Sequence, residues 1–312
     1  LFRSGEGSFC NNPITRNTLE SSSQRGEKNR EEYEGTDWNF SSFYIFCSSQ
    51  VILKKVIMAV KIAVVNHKGG VGKTMTSFNL AAALSKLGEK VLLVDCDAQC
   101  NLTMQSAVDV ENSVNLSTYL NDDDVEIQPA CVCENLWIIP GSSSLDEDAH
   151  NIELSIEDNT QEATHYLYEL LKRVDGDFDY IIIDSAPGSG AILVNVIVAA
   201  DRLIVPISDK FSIAGAKKLT QIIRANHKAI EGKYLLTKQT KFGVSKQIKE
   251  MLTSQSPDVL YHTTIRQCED LNKSAALSKS IFDYSPKSYG SEDYMALAKE
   301  VLGGIKDNDM PF

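Results

Sequence analysis

An α/β fold, a single doubly wound and mostly parallel sheet with helices on both faces, is predicted by three features of this 312-residue chain. From Met58 onward, short apolar runs alternate with longer amphipathic segments. Several runs are apolar at every position, as strands covered on both sides must be. Glycine and aspartate follow these runs, at the carboxyl ends of strands where such sheets gather ligands.

Ile62 to Val65 is the first run, and a helix from Thr74 to Leu87 follows, ended by Gly88. Val91 to Val94 reads as a second buried strand. An acidic, loop-rich stretch then leads to a strand at Leu136 to Ile139, a helix near Gln161 to Val174 and a strand at Tyr180 to Ile183. The alternation continues with helix Ala191 to Ala199, strand Leu203 to Ile207, helix Ile213 to Ile230 and strand Tyr234 to Leu236. A helix around Gly243 to Leu252, a short strand near Tyr261 to Ile265 and a helix near Glu292 to Leu302 close the pattern. Residues 58–312 suit one doubly wound domain. Residues 1–57 are rich in Ser, Asn, Glu and Arg and lack periodicity, so they are expected to be a disordered or non-native leader, with Met58 as the native start.

Between the first strand and helix stands Lys68-Gly69-Gly70-Val71-Gly72-Lys73-Thr74. In a glycine-rich turn backbone N–H groups converge on an anion where no Cβ intrudes, and the following helix aims its positive end at the same point. The spacing is that of a P-loop, in which Lys73 reaches the β- and γ-phosphates and the Thr74 hydroxyl holds Mg²⁺. The expected nucleotide contacts are Lys68, Gly69, Gly70, Val71, Gly72, Lys73, Thr74 and Met75. The strict pattern has glycine where this chain has His67, and a second lysine, Lys68, comes next. Two acidic motifs complete the site. The second strand ends in Asp95-Cys96-Asp97, carboxylates placed to order water or a Mg²⁺ shell. Tyr180 to Ile183 delivers Asp184, a Walker-B aspartate and expected metal ligand, followed by a Ser185-Ala186-Pro187-Gly188 turn able to sense the γ-phosphate.

With 43% hydrophobic and 23% charged residues the chain can bury a sizeable core. No run approaches the roughly 18 apolar residues of a membrane span, so no membrane partner is expected. Seven scattered cysteines argue against a disulfide framework, and Cys131-x-Cys133, lacking a second ligand pair, reads as two ordinary thiols in a reducing cytoplasm. Charge is uneven. The net charge is −11, and no lysine or arginine occurs between Val91 and Leu171, yet Lys210 to Lys249 holds ten basic residues and one acid, Glu231. A polyanion is repelled by the first region and attracted by the second.

The segments KGGVGKT, DCDAQCN, IIIDSAPG and AADRLIVPIS, with Ile281 to Glu300 near the C-terminus, resemble the ParA/Soj family of deviant Walker-A partition ATPases, within the MinD/ParA superfamily. The resemblance covers the chain from Met58. It implies a deviant P-loop NTPase that binds ATP and Mg²⁺, forms a sandwich homodimer on ATP and is stimulated by a ParB-like centromere-binding protein. It also implies that Lys68 crosses to the partner's nucleotide and that Asp97 serves hydrolysis, so Lys68, Lys73 and Asp97 are the expected catalytic residues. Hydrolysis would weaken the seam and make ATP a dimerisation switch. A cytoplasmic location follows, on the nucleoid in the ATP state. The chain departs from the family's usual prolines at Ala98 and Ala186. It also has Glu269 and Asp270 where such proteins commonly carry DNA-binding arginines.

The basic segment offers another route to nonspecific DNA. Lys217, Gln221, Arg224 and Lys228 share one helix face, while Leu219, Ile222, Ile223 and Ile230 share another. Such a stripe, doubled in a dimer, would grip phosphates without reading sequence; alternatively these residues solvate an ordinary helix. The acidic tail Gly303 to Phe312 argues against a MinD-like membrane helix, and the absence of cysteines between Asp184 and Gln267 argues against an iron–sulfur electron donor. A positioning or regulatory ATPase acting on a protein cargo, without DNA, is the alternative function.

Overall fold

Alternate side chains of a strand point to opposite faces, and here both sets are apolar. The computed structural model describes residues 58–157, 161–188, 190–225, 230–240, 244–254 and 259–306. The expectation for residues 1–57 lies outside them, as does that for Lys228.

In chain order, β1 (Val60–Val64) leads through the glycine-rich turn to α1 (Lys73–Lys86), then β2 (Val91–Cys96), α2 (Asn101–Ser106) and α3 (Leu116–Asn121). β3 (Ala130–Cys133) and β4 (Leu136–Ile139) follow, then α4 (Leu145–Glu157), a 3₁₀ turn at Gln161–Thr164, α5 (Tyr166–Lys172), β5 (Tyr180–Ser185) and α6 (Ala191–Ala199). Next come β6 (Arg202–Ile207), α7 (Lys210–Ala225), β7 (Glu231–Leu236), α8 (Val244–Thr253), α9 (Glu269–Ala276), α10 (Ile281–Tyr284) and α11 (Tyr289–Lys306). The strands form one sheet in the order β3-β4-β2-β5-β1-β6-β7, with β3 alone antiparallel to its neighbour. β1 therefore lies centrally, beside β5, with Val64 opposite Asp184.

Ala63, Val94, Ile183 and Val205 face one way, onto residues of α5, α6 and α7. Val64, Leu93, Ile182 and Ile204 face the other, onto α1 and α11. At the amino-terminal end of β1, buried Lys61 pairs with buried Asp175 at 2.7 Å.

The structure departs from the expected pattern in several places, and α9 and α10 form where no element was expected. The acidic stretch expected to be loop-rich holds α2, α3 and the edge strand β3, and α4 forms beyond β4 where no helix was expected. α2 and α3 are six residues each, too short to show helical periodicity, and α3 starts on a local cap in which Asn115 accepts from the Thr118 amide. Tyr261 to Ile265 forms no strand; isolated bridges flank it, Tyr234 with Leu260 and Gln239 with Arg266. Cys131 is disulfide-bonded, not an ordinary thiol, whereas Cys96, Cys100 and Cys268 are free.

Candidate nucleotide site

The turn after β1 is shaped by backbone conformation. Gly70 and Gly72 have φ of +73° and +95°, which other L-residues rarely adopt, although no protein atom lies within 4 Å of a Cβ built at either. Gly69 has only an ordinary 4.0 Å contact with Pro187. The glycine requirement at 70 and 72 is thus conformational, not a lack of room within the protein. Gly72 also begins α1, so the helix's unpaired N–H groups open onto the turn.

A cavity of about 790 Å³ lies there, lined by Gly69, Gly70, Gly72, Lys73, Thr74, Met75 and Asp97, and on its far side by Lys238, Arg266 and Gln267. Its size suits a nucleotide. Val71 is fully buried beneath the turn. Lys73 is 7% exposed and its Nζ lies 3.4 Å from the Lys68 carbonyl. Burial lowers its pKa, opposed by the charges of Asp184 and Asp97.

The three acids take different positions. Asp95 is buried and turned inward, accepting from the Thr103 amide (2.9 Å) and hydroxyl (2.7 Å). Asp97 reaches the cavity wall and accepts from the Gln99 amide at 2.9 Å. Asp184 sits fully buried below the turn, with Oδ1 accepting from Ser77 Oγ at 2.7 Å. Its Oδ2 is buried without a hydrogen-bond partner. Burial first, then the charge of Asp95, pushes its pKa up to about 7, against the Ser77 and Thr74 hydroxyls and Lys73. A partnerless carboxylate oxygen near the Thr74 hydroxyl suits a hard, oxygen-seeking cation, so these residues fit Mg²⁺. Among the described residues no group of three or more His, Cys, Asp or Glu stands together as a metal cage.

Lys68 is not brought to this cavity. Its ammonium pairs with Asp209 at 2.6 Å and lies 5.5 Å from the centre of the exposed Phe211 ring. Asp209 begins α7 and accepts from the Phe211 (2.8 Å) and Ser212 (2.9 Å) amides. Burial works to raise the pKa of Asp209, but bonds from Lys68 and these amides outweigh it and hold it low.

Lys217 and Arg224 are exposed on α7, opposite buried Leu219 and half-buried Ile222 and Ile223. Arg266 is held by Asp293 (2.6 Å) and Glu292 (2.9 Å), over the Tyr289 ring at 4.2 Å. These contacts raise its pKa and engage its Nε and Nη2 donors. Glu269 pairs with Lys273 at 3.0 Å, and Asp270 accepts from Ser285.

Sequence reasoning missed Ser77, Asp209, Thr237 and Lys238. The last two stand at the carboxyl end of β7 and were open to the general rule about strand ends. Ser77 and Asp209 carry no local signal.

Comparison with known proteins gives a consistent result. An AAA-domain family model, AAA_31, matches residues 59–235. The chain is 34% identical over 250 residues to the sporulation initiation inhibitor protein Soj of Bacillus subtilis, covering 77% of this chain and 97% of that protein. It is 28% identical over 261 residues to the chromosome partitioning protein ParA of Caulobacter vibrioides, covering 79% and 95%. A Borrelia burgdorferi protein assigned to plasmid partition and solved with AMPPNP superposes with a TM-score of 0.67 at 25% identity, covering 79% of this chain and 99% of that one. Apo McdA of Cyanothece superposes at 0.68 with 24% identity, covering 78% and 100%, a likeness of fold.

Proposed function

This chain belongs to the ParA/Soj family of partition ATPases, and from that premise we propose that it hydrolyses ATP to time its own dimerisation on nonspecific DNA, segregating a plasmid or chromosome. The observation that carries the reading is the division of the two signature lysines. Lys73 lines the phosphate cavity of its own chain, whereas Lys68 lies outside that lining and is paired with Asp209.

ATP lies with its triphosphate along Gly69 to Thr74. The backbone N–H groups bind it and Lys73 neutralises its charge. Thr74 and Asp184 would hold Mg²⁺, which would supply charge compensation for the triphosphate. Asp97 orients the attacking water, whose oxygen bonds to the γ-phosphorus as the bond to the bridging oxygen breaks, giving ADP and phosphate with the water's proton released to solvent. A second copy supplies Lys68 to the same phosphates, and each Lys68 must first leave its own Asp209. Losing the γ-phosphate removes the reason for that exchange, so the dimer opens. Turnover is slow without a ParB-like partner. The site of action is the cytoplasm, on the nucleoid while ATP is bound; no described helix is long and apolar enough to cross a membrane.

DNA is held by Lys217 and Arg224, exposed on both subunits of the dimer. A second reading, control of a protein cargo without DNA, is favoured by one observation: Arg266 is already neutralised by Asp293 and Glu292 beside acidic Glu269 and Asp270. Retention on nonspecific duplex DNA with ATP, ADP or no nucleotide separates the two. The wild type is expected to bind with ATP alone. Lys217→Glu with Arg224→Glu is expected to abolish binding while hydrolysis persists, since four lost phosphate contacts per dimer remove roughly 3 to 4 from the logarithmic salt slope. A wild type that ignores DNA in every nucleotide state selects the cargo reading, and unchanged retention by the double variant rejects the α7 stripe.

A further inference from the structure

We infer that Thr237 and Lys238, at the carboxyl end of β7, are positioning residues that aim the P-loop's N–H groups at the nucleotide. This rests on the reading of the cavity as an ATP site.

The two glycines with positive φ, Gly70 and Gly72, flank Val71. Glycine is the least restrained joint in a chain, so the two peptide planes between them rotate more freely than ordinary ones. These planes carry the N–H groups of Val71 and Gly72, which a P-loop uses to cradle phosphate. A trans peptide is planar, with its C=O and N–H opposed, so fixing the carbonyl fixes the N–H. Thr237 Oγ1 donates to the Val71 carbonyl at 2.8 Å. Lys238 Nζ donates to the Gly70 carbonyl at 2.7 Å. The two carbonyls are those of the two free planes. Each plane is thereby held in one rotation before any phosphate arrives.

The clamp is itself anchored. Thr237 is 2% exposed, and its amide donates to the Ile207 carbonyl at 2.9 Å. Lys238 adopts the left-handed region (φ +54°), unfavourable for a lysine, and sits against a bridge that holds it there. The Gln239 amide donates to the Ile265 carbonyl at 3.0 Å and the Gln267 amide to the Gln239 carbonyl at 2.8 Å. β7 and the 265–267 segment thus present both donors from a rigid edge.

The test titrates the full chain with a fluorescent ADP in excess Mg²⁺, and separately records its nucleotide-free melting temperature. Thr237→Val keeps shape and loses the donor, whereas Thr237→Ser keeps the donor; Lys238→Met and Lys238→Arg form the same contrast. Loss of either donor is expected to weaken binding about five- to tenfold, and Ser and Arg to restore it to within about twofold. The melting temperature of Lys238→Met, a change at an exposed side chain, is expected to stay near the wild type. A merely structural role would instead lower the melting temperature and leave affinity alone, and that result, or unchanged affinity in Lys238→Met, overturns the inference. Should Thr237→Val not fold, the Lys238 pair decides. Lys73→Ala is the control. If it binds nucleotide normally, the ATP-site reading fails; if it alone loses binding, only the present inference does.

Discussion

At Asp184 the needs of the fold and of a bound cation oppose each other. A fully buried carboxyl with one partnerless oxygen favours its neutral form, and its pKa stands near 7 against the usual carboxylate range. The folded state therefore holds a proton that the unfolded chain has already released. Stability contributed by this group is present at low pH and lost as pH rises from about 4 through about 7. Thermal melts of the metal-free protein between about pH 5 and pH 8 are expected to show that loss in the wild type and not in Asp184→Asn. Parallel curves would contradict it. Asp184, Asp97 and Lys73 were legible in the sequence because each follows an apolar strand or glycine turn at fixed spacing. Ser77, which donates to Asp184, was not, because its role depends on α1 lying over β5.

At the level of elements, α7 depends on a close approach. Gly215 faces Asn66, and a Cβ there would sit nearer to the Asn66 side-chain oxygen than real contacts allow, with the Lys68 amide at 3.2 Å. Asn66 ties three segments together. Its amide donates to the Pro206 (2.8 Å) and Ser212 (3.2 Å) carbonyls, and its oxygen accepts from the Lys68 amide at 3.0 Å. Gly215→Ala is expected to cost about 1–3 kcal/mol in denaturant unfolding, as overpacking does, while Ala214→Ser on the exposed side stays within about 0.5 kcal/mol. Equal stabilities would show that the helix is not seated on this loop. α1, α6 and the central strands, apolar runs bounded by glycine or charged residues, were legible from sequence to within a few residues. α2, α3 and β3 were not, since four to six residues hold too little pattern and these pieces form where neighbours cover them.

For the whole molecule, the proposed switch turns on a choice between two partners for Lys68. In the single chain Asp209 holds it, with both side chains about a third exposed. A pair so exposed is worth about 0.2–1 kcal/mol, which limits the effect of breaking it to roughly fivefold in an equilibrium. Asp209→Asn keeps an acceptor at the start of α7 while removing the charge. Because each dimer breaks two such pairs, it is expected to tighten ATP-dependent dimerisation up to about thirtyfold in sedimentation measurements, whereas Lys68→Ala should prevent it. Weaker pairing in Asp209→Asn would mean that the contact supports the dimer-competent form. The acidic surface around residues 91–171 and the basic α7 add a long-range preference about which face meets a polyanion.

Local order was enough to reveal the strand-turn-helix cradle, the alternation that builds a doubly wound sheet and the family to which both belong. Those features repeat at short spacing, where a side chain's chemistry and its neighbours in sequence suffice. The pairing of Lys68 with Asp209 and the clamp from Thr237 and Lys238 became visible once segments 100 or more residues apart lay side by side. Hydrogen bonds and desolvation act over a few ångströms of space, and no spacing along the chain encodes that distance.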